Sequence, residues 1–382
     1  MHLVTFTNLY PSDDMPRHGI FVQERLRHLI GARGLSATVV ALRPTFGGRG
    51  GTTHESSSQQ TDIAVTYQRV PTVPKLSNWI DPWVWANAAE DAVKAASVGH
   101  ERDSIIDAHF LYPDGVAATI LGRRLGLPVV MTARGSDVNV KCENPIMRRW
   151  VRWAAARSEA LITVSEDLAS KLVAFGVTSP ILKVVPNGVD LKAFRPLNSA
   201  ECKERLGIAG KVVASVGHLI EDKGHMIVVQ ALAGLPDTTL LVVGEGPDEA
   251  KLKALAANLG IADRVRFLGL VPHAEMLHVY SAADALVLLS AREGMPNVVL
   301  ESLACGTRVV ANDVGGVSEV VRNRVAGVVV KERSVSALRA GLTALDRTPT
   351  SVASTREYAT QFDWSGILPH QVAVYRQALG IG

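Results

Sequence analysis

Apolar residues recur in short unbroken runs along the whole chain, and longer segments with helical spacing separate them. Most runs are apolar at consecutive positions, which is typical of parallel strands that are buried on both faces. Strands that alternate with helices form right-handed βαβ units, so the pattern predicts an α/β fold with doubly wound sheets. The predicted strands lie near residues 2–8, 38–44, 65–70, 105–110, 128–133, 160–165, 182–187, 212–217, 238–244, 264–269, 285–290, 308–313 and 325–330.

The series of strands breaks at the segment VPNGVDLKAFRP, which begins with turn-forming residues. At 382 residues the chain also exceeds the size of a single hydrophobic core, about 250–300 residues. We therefore predict two Rossmann-like domains, residues 1–190 and 191–363, with a C-terminal helix of about 364–382 packed back on the first. Ligands of such sheets bind at the carboxyl ends of the strands, so we expect a cleft between the domains.

Composition excludes several classes of protein. The net charge of +3 is too small for a general nucleic-acid binder. Cys142, Cys202 and Cys305 are far apart and show no metal-binding spacing, which favours a reducing, cytoplasmic location. The start of the chain lacks the pattern of a secretory signal, and no apolar run reaches the 18 residues of a membrane span. Peripheral contact with the inner face of a membrane remains open.

Glycine-rich segments do not support a nicotinamide dinucleotide site. The segment GGRGGTTHESSSQQ (47–60) follows a strand, but no helical pattern follows it, so we predict a flexible surface loop. The segment VVGEGPDEAKL (242–252) lacks the third glycine of a dinucleotide fingerprint. An oxidoreductase of that class is therefore excluded.

Two glutamates with seven residues between them, Glu293 and Glu301, follow a predicted strand in REGMPNVVLESLACG. Pro296 suits the first turn of a helix over about 297–304, and Gly306 suits the position just past its end. The start of that helix is a favourable anion site, so each carboxylate could bind a hydroxyl on either side of a phosphate. Hexose, pyrophosphate and ribose follow each other in this way in a nucleotide sugar. The alternative is two surface glutamates, with Glu293 complementing the helix dipole.

Three further strand-end loops add to this site. Gly217 and Lys223 lie in SVGHLIEDKGH, where glycine permits close backbone approach and lysine could reach a phosphate. Gly246 lies in VVGEGPDEAKL, and Val271 lies in FLGLVPHAEM, a loop that could hold a base through backbone contacts. Four such loops in one domain indicate one continuous site, although Lys223 alone would more often be a solvated loop lysine.

Taken together, these segments resemble the retaining glycosyltransferases of the two-domain GT-B type, in the large family 4. The resemblance covers essentially the whole chain, and no single segment is specific. The segments that carry it are YPSDDMPRHGIFV, AHFLYPDG, TARGSDVN, VPNGVD, VGHLIEDKG, GEGP and the E-x7-E stretch with CGTRVV.

The resemblance implies a role for each donor-side residue. Glu293 would bind hydroxyls of the donor sugar, Glu301 would bind the ribose, and Lys223 would neutralise the pyrophosphate. His218 departs from the family, which usually has arginine there, and a histidine is charged only part of the time near pH 7. The loop that would hold sugar and phosphate comprises Gly294, Met295, Pro296, Asn297 and Val298.

In the first domain the resemblance places His109 beside the reacting carbon, and Gly19 where the backbone approaches the diphosphate. His109 would thus join Glu293 and Lys223 in catalysis; the alternative is a satisfied histidine at a strand end. Arg134 and Asp137 are acceptor-side candidates, and the alternative for them is to pair with each other or to cap a turn.

Two segments of the first domain are rich in tryptophan. The segment PIMRRWVRWAAAR (145–157) places Arg148 and Arg152 on one helical face, and Arg149, Trp153 and Arg157 on another. The segment could lie on an anionic membrane or a lipid-linked acceptor, and the alternative is a first-domain helix with snorkelling arginines. The segment PTVPKLSNWIDPWVW (71–85) carries Trp79, Trp83 and Trp85, which could stack on a sugar or pack in the core.

No Asp-x-Asp motif occurs, so we predict that helix N-termini and Lys223, rather than a metal ion, stabilise the departing nucleotide. By resemblance, the enzyme moves a hexose with retention from a UDP- or GDP-sugar to an acceptor hydroxyl in polysaccharide, glycolipid or glycoconjugate synthesis. The acceptor is saccharide, lipid-linked or small, and the nucleotide sugar is a substrate rather than a cofactor. A nucleotide-sugar epimerase and a non-catalytic nucleotide-sugar binding protein are the alternatives.

Overall fold

The computed structural model describes residues 1–16, 18–31, 35–45, 52–53, 63–72, 79–100 and 102–381. These residues form two compact units, Met1–Asn187 with Ile367–Gly382, and Gly188–Gly366. The N-terminal part of the first unit ends at Asn187, in the turn dipeptide Asn187-Gly188. The sequence predicts the end of the first domain three residues later, at residue 190. Apart from Thr52–Thr53, the predicted 47–60 loop lies outside the described residues, so its flexibility stays a prediction.

The described elements are fourteen strands and fifteen α-helices. The strands are β1 His2–Thr7, β2 Ser36–Thr45, β3 Thr52–Thr53, β4 Ala64–Pro71, β5 Ser104–His109, β6 Val129–Ala133, β7 Ala160–Thr163, β8 Leu182–Val184, β9 Lys211–Val216, β10 Thr238–Val243, β11 Val265–Gly269, β12 Ala285–Leu288, β13 Val309–Asn312 and β14 Gly327–Val330. The helices are α1 Ile20–Ile30, α2 Asp81–Ser97, α3 Val116–Leu125, α4 Ser136–Asn139, α5 Pro145–Ala155, α6 Glu166–Ala174, α7 Ser199–Arg205, α8 His225–Leu232, α9 Glu249–Asn258, α10 Met276–Ala282, α11 Asn297–Ala304, α12 Val317–Val320, α13 Val335–Asp346, α14 Val352–Ala359 and α15 Trp364–Ala378.

Each unit is built on one sheet. The first sheet has the order β3-β4-β2-β1-β5-β6-β7-β8 and is parallel except for β3, which pairs antiparallel with β4. The second sheet has the order β11-β10-β9-β12-β13-β14 and is parallel throughout its described strands. Every strand predicted from the sequence is confirmed, and β3 is an addition inside the predicted loop.

Burial on both faces, which the unbroken apolar runs predict, is confirmed in the central strands. All residues of β1 and of β5 are buried, whereas the edge strand β8 has none buried. In the second unit the core lies between the sheet and helices α8, α9 and α13, with Val213, Leu240, Leu252 and Leu342 among its buried residues.

The parallel direction of the strands decides where the candidate residues lie. His109 ends β5 and Arg134 follows β6, so both lie at the carboxyl edge of the first sheet. Gly217 follows β9, and the loop of Glu293 follows β12 at the carboxyl edge of the second sheet. Since β9 and β12 are hydrogen-bonded neighbours, the loops that follow them start side by side.

Candidate active site

In the first unit, β5 presents two polar side chains to a single buried network. Asp107 and His109 are two residues apart in a strand, so they point to the same face, and both are buried. The Nε2 atom of His109 donates to Oδ2 of Asp107 at 2.9 Å, and Arg134 donates to Nδ1 at 2.6 Å. Because both ring nitrogens are engaged, the network assigns the neutral tautomer with its proton on Nε2.

Electrostatics keep this ring neutral. Burial lowers the pKa of His109 to about 4, and the attraction of Asp107 only partly offsets that effect. Burial alone would raise the pKa of Asp107, but His109 and Tyr375 outweigh it and leave that pKa lowered. The pair is therefore a carboxylate that holds a neutral imidazole, and the lone pair on Nδ1 of His109 is already engaged by Arg134. This geometry satisfies both ring nitrogens, and the place of His109 beside the reacting carbon stays a prediction.

The network continues into the C-terminal helix. The hydroxyl of Tyr375 donates to Oδ1 of Asp107 at 2.8 Å, and the amide of Gln371 donates to that hydroxyl. The oxygen of Gln371 accepts from Nε of Arg25 at 2.5 Å, and Arg25 is fully buried. These three residues and Asp107 were not predicted. Only Arg25 could have been recognised from the local sequence, because it is a charged residue in the buried apolar stripe of α1, with Val22, Leu26 and Leu29.

The acceptor-side candidates have separate local roles. Asp137 is fully buried, and its carboxylate accepts four backbone N–H groups, those of Leu111, Arg134, Gly135 and Val138. Asp137 thus forms the turn after β6, as one of its alternatives proposed. The side chain of Arg134 does not reach it; it bonds His109 and, at 3.2 Å, Oδ1 of Asn187.

Gly19 has a folding reason to be glycine. It caps α1 in the left-handed region, with φ of 74°. A Cβ atom there would lie 2.1 Å from the carbonyl carbon of Leu9, so a side chain would push the preceding loop away. Contact with a diphosphate remains a prediction for this residue.

In the second unit, two predicted donor residues form an ion pair. Lys223 ends a short turn after β9, and its Nζ atom lies 2.6 Å from Oε1 of Glu293 in the loop after β12. The same two loops are joined by the backbone bond from Ala291 N to Asp222 O, 2.6 Å, and by an ion pair between Arg292 and Asp222. Neither side chain is fully exposed, with 29% for Lys223 and 11% for Glu293. The structure therefore brings these residues together, and the pairing itself was not predicted.

Helix α11, which starts after Glu293 and contains Glu301, has the predicted bounds, Asn297–Ala304. Gly306 follows its end with φ of 80°, as predicted, but Pro296 lies at the N-cap with extended backbone rather than inside the first turn. The preceding residues Gly294 and Met295 are buried, and Gly294 O accepts from Gly316 N at 2.7 Å. Helix N–H groups and the positive end of the dipole point from α11 toward the loop of Glu293, which favours an anion there.

Glu301 is held by two partners that were not predicted. Its Oε2 atom accepts from the hydroxyl of Tyr280 at 2.7 Å, and its Oε1 atom lies 3.0 Å from Nε2 of His273. Burial raises the pKa of Tyr280 well above its usual value, so the hydroxyl remains a donor. Val271 lies two residues before His273 in the loop that follows β11. The carboxylate is fixed in place yet keeps acceptor capacity for hydroxyl groups.

The loops after β9 and β10 pack backbone against backbone. A Cβ atom on Gly246 would lie 2.4 Å from the carbonyl oxygen of Leu219, so only glycine fits. Gly217 has φ of 152°, and the next residue, His218, is exposed. Beneath this loop the buried His225, not predicted, has Nδ1 2.8 Å from Ser215 Oγ, and burial lowers its pKa to about 4.

The described residues contain neither a metal-binding cluster nor a membrane-spanning helix. In the described ranges, no group of three or more His, Cys, Asp or Glu side chains could hold a metal ion. None of the helices in that part of the chain is long and apolar enough to cross a bilayer. The absence of a metal requirement stays a prediction.

Comparison with known families matches both units. Residues 19–193 match Glycosyltransferase Family 4, and residues 201–362 match Glycosyl transferases group 1. A D-inositol 3-phosphate glycosyltransferase of Segniliparus rotundus is 33% identical over 74% of this chain and 68% of its own length. A putative teichuronic acid biosynthesis glycosyltransferase, TuaC of Bacillus subtilis, is 29% identical over 90% of this chain and 88% of its own.

Solved structures share the fold. Sucrose-phosphate synthase from Thermosynechococcus elongatus aligns with a TM-score of 0.79 and 20% identity over 100% of this chain and 99% of its own. HepE from Anabaena, solved in complex with UDP, aligns with a TM-score of 0.76 and 20% identity over 99% of this chain and 100% of its own. These likenesses confirm the predicted GT-B fold.

Proposed function

Because the chain belongs to the glycosyl transferases group 1 family and is a glycosyltransferase, we propose that it moves a hexose from a nucleotide-diphospho-sugar to an acceptor hydroxyl, with retention at the anomeric carbon. The observation that supports this most strongly is the order of groups along the second unit. The Lys223–Glu293 pair, the start of α11 and the anchored Glu301 follow one another. That order matches a hexose, a diphosphate and a ribose.

The donor site would act mainly on the leaving group. Lys223 carries a cation beside the start of α11, and both favour the negative charge that develops on the departing nucleotide diphosphate. Glu293 orients Lys223 through their 2.6 Å contact and keeps acceptor capacity for sugar hydroxyls. His218 stands where the family usually has arginine, so Lys223 would carry the larger share of this stabilisation.

The first unit would position the reacting groups and would not supply a general base. His109 is neutral and both of its ring nitrogens are engaged, so it offers no site for the acceptor proton. A donor phosphate oxygen would then take that proton during attack on the same face of the sugar. We propose that no metal ion is required, and that the enzyme works in the cytoplasm.

Relatives guide the choice of substrates to test. HepE was solved with UDP and with UDP-glucose, which makes UDP-hexoses the first donors to try and GDP-hexoses the second. The relatives act, by name, on D-inositol 3-phosphate and in teichuronic acid synthesis, so phosphorylated polyols and saccharide acceptors come first.

The test is a transfer assay with UDP- and GDP-hexoses against these acceptors, with the product examined by proton NMR. We expect a glycoside with the anomeric configuration of the donor, formed equally well with and without a metal chelator. An inverted product would contradict retention. Sugar epimerisation without any glycoside would contradict transfer.

A further inference from the structure

Four of the six tryptophans in the chain are exposed or half-buried residues of the first unit. Trp79 and Trp83 lie at the start of α2 and are 61% and 45% exposed, and Trp150 and Trp153 lie half-buried on α5. The indole N–H of Trp150 donates to the carbonyl of Trp79 at 3.0 Å, and the rings of Trp150 and Trp153 meet edge to face at 5.6 Å. These contacts join Trp79, Trp150 and Trp153, and Trp83 lies four residues after Trp79 in the chain; the four are here called the tryptophan face.

Arginines border the tryptophan face. Arg149 and Arg157 are exposed, and the guanidinium of Arg157 lies 5.2 Å from the ring centre of Trp153. The guanidinium of Arg124 lies 5.3 Å from the ring centre of Trp83, and it also pairs with Glu90 at 3.1 Å. Helix α5 itself contains no acidic residue. The tryptophan face is thus aromatic and cationic.

Helix α5 is firmly seated by its other side. Met147, Val151, Ala154 and Ala155 are buried, so the outward side of the helix is not needed for the core of the first unit. Ile146 at its start is nevertheless 50% exposed. Burying a tryptophan removes about 150–250 Å² of surface from water, so leaving several of them in solvent has a substantial cost in free energy.

We propose that the tryptophan face docks on an anionic lipid bilayer, with its indoles at headgroup depth and its arginines against lipid phosphates. Tryptophan favours the membrane interface because its ring is apolar and its N–H is polar. Arginines add electrostatic attraction of about 1 kcal/mol each near an anionic surface. A protein partner would more often complement several exposed arginines with its own acids, whereas indoles and cations interleaved along one helix favour a lipid surface.

Docking would also place the acceptor side of the first unit near lipid. The segment Leu111–Gly115, which begins two residues after His109, packs against both α2 and α5. An acceptor anchored in the membrane would then reach the unit that carries His109. This consequence rests on the proposed function, whereas the docking itself does not.

The test is flotation of the full chain with vesicles of phosphatidylcholine alone or with 30% phosphatidylglycerol, combined with tryptophan fluorescence. We expect binding to the anionic vesicles only, a blue shift of emission on binding, and release by salt. The double variant Arg149→Gln/Arg157→Gln should bind about 30-fold more weakly, since two arginine contributions are lost. Trp79→Ser/Trp83→Ser should lose most of the affinity and show a smaller blue shift, which comes from Trp150 and Trp153 alone.

A matched control separates the tryptophan face from net charge. The double variant Arg324→Gln/Arg347→Gln removes the same charge from exposed positions of the second unit and should bind like the unaltered chain. Equal losses in both arginine pairs would overturn the proposal, as would absence of binding to anionic vesicles. Self-association that depends on Trp79 and Trp83 without vesicle binding would also overturn it and point to a protein interface. Vesicle binding and self-association are measured without turnover. Their outcome is therefore independent of the transfer assay that tests the proposed function.

Discussion

The hydroxyl of Tyr375 donates a 2.8 Å hydrogen bond to Oδ1 of Asp107, and the other oxygen of that carboxylate holds Nε2 of His109. Residues 268 positions apart in the chain therefore share one buried carboxylate. The C-terminal helix reaches the end of β5 through this bond. Through Asp107, the C-terminal helix therefore helps to hold the His109 ring in place.

Replacing Tyr375 by phenylalanine should leave a buried carboxylate oxygen without this donor. A lost hydrogen bond to a buried acceptor costs about 1–3 kcal/mol, so the free energy of unfolding in urea should fall by that amount. The double-mutant cycle with Asp107→Asn isolates the contact, and we expect the two changes to be non-additive by 0.5 kcal/mol or more, in the usual range of about 0.5–3 kcal/mol for contacting residues. Strictly additive effects would mean that the bond contributes nothing.

His109 should make stability depend on pH. Its folded pKa of about 4 lies below the ordinary 6.5, so the neutral form favours the folded state. Its contribution is present above pH 6.5 and is lost as the pH falls toward 4, by on the order of 3 kcal/mol. The unfolding free energies of the unaltered chain and of His109→Gln should therefore converge between pH 7 and pH 4. His370→Gln, at an exposed position of the same unit, is the control; a parallel slope in His109→Gln would contradict the assignment.

Truncating either member of the ion pair in the second unit should slow catalysis strongly while the fold survives. Lys223→Ala removes a preorganised cation from the leaving group, and loss of one such group costs about 10²–10³ in kcat. Glu293→Ala should lower kcat as well, since it removes the partner that positions Lys223. Lys253→Ala, an exposed lysine that pairs with Glu249 at 2.6 Å, serves as the matched control and should retain full turnover. Unchanged turnover in both site variants, with thermal melts intact, would rule out this site.

Glu301 should discriminate ribose from deoxyribose. A hydrogen bond to a charged group contributes about 1.5–3 kcal/mol, so a 2′-deoxy donor should bind the unaltered enzyme roughly 10–150-fold more weakly. In Glu301→Ala the two donors should bind nearly alike, measured by isothermal titration. Tyr280→Phe should show an intermediate ratio, because it removes the hydroxyl that orients Oε2. Undiminished discrimination in Glu301→Ala would place the ribose elsewhere.

Local patterns were sufficient for the elements of the fold. Apolar runs predicted the strands because parallel strands are buried on both faces, and β1 and β5 are buried along their whole length. Gly306 and Pro296 predicted the two ends of α11 correctly, although Pro296 is the N-cap residue rather than a residue of the first turn. The two-residue strand β3 escaped prediction, because two threonines in a glycine-rich segment carry no periodicity.

Long-range partners could not be predicted in this way. Gln371 and Arg25 are separated by 346 positions, and no local spacing links them. The same holds for His273 and Tyr280 at Glu301, which lie on other elements of the second unit. The role of Asp137 in the turn, by contrast, was among the sequence-based alternatives, and its four backbone N–H bonds show that turn, while its acceptor contact stays a prediction.

The order of groups in the donor site can be tested directly by a crystal structure with a bound UDP-hexose or GDP-hexose. We predict the diphosphate at the start of α11 within hydrogen-bonding distance of Lys223, ribose hydroxyls on Glu301 and hexose hydroxyls on Glu293. A nucleotide bound away from α11, or one whose ribose lies on Glu293 and whose hexose lies on Glu301, would contradict the proposed recognition of the donor.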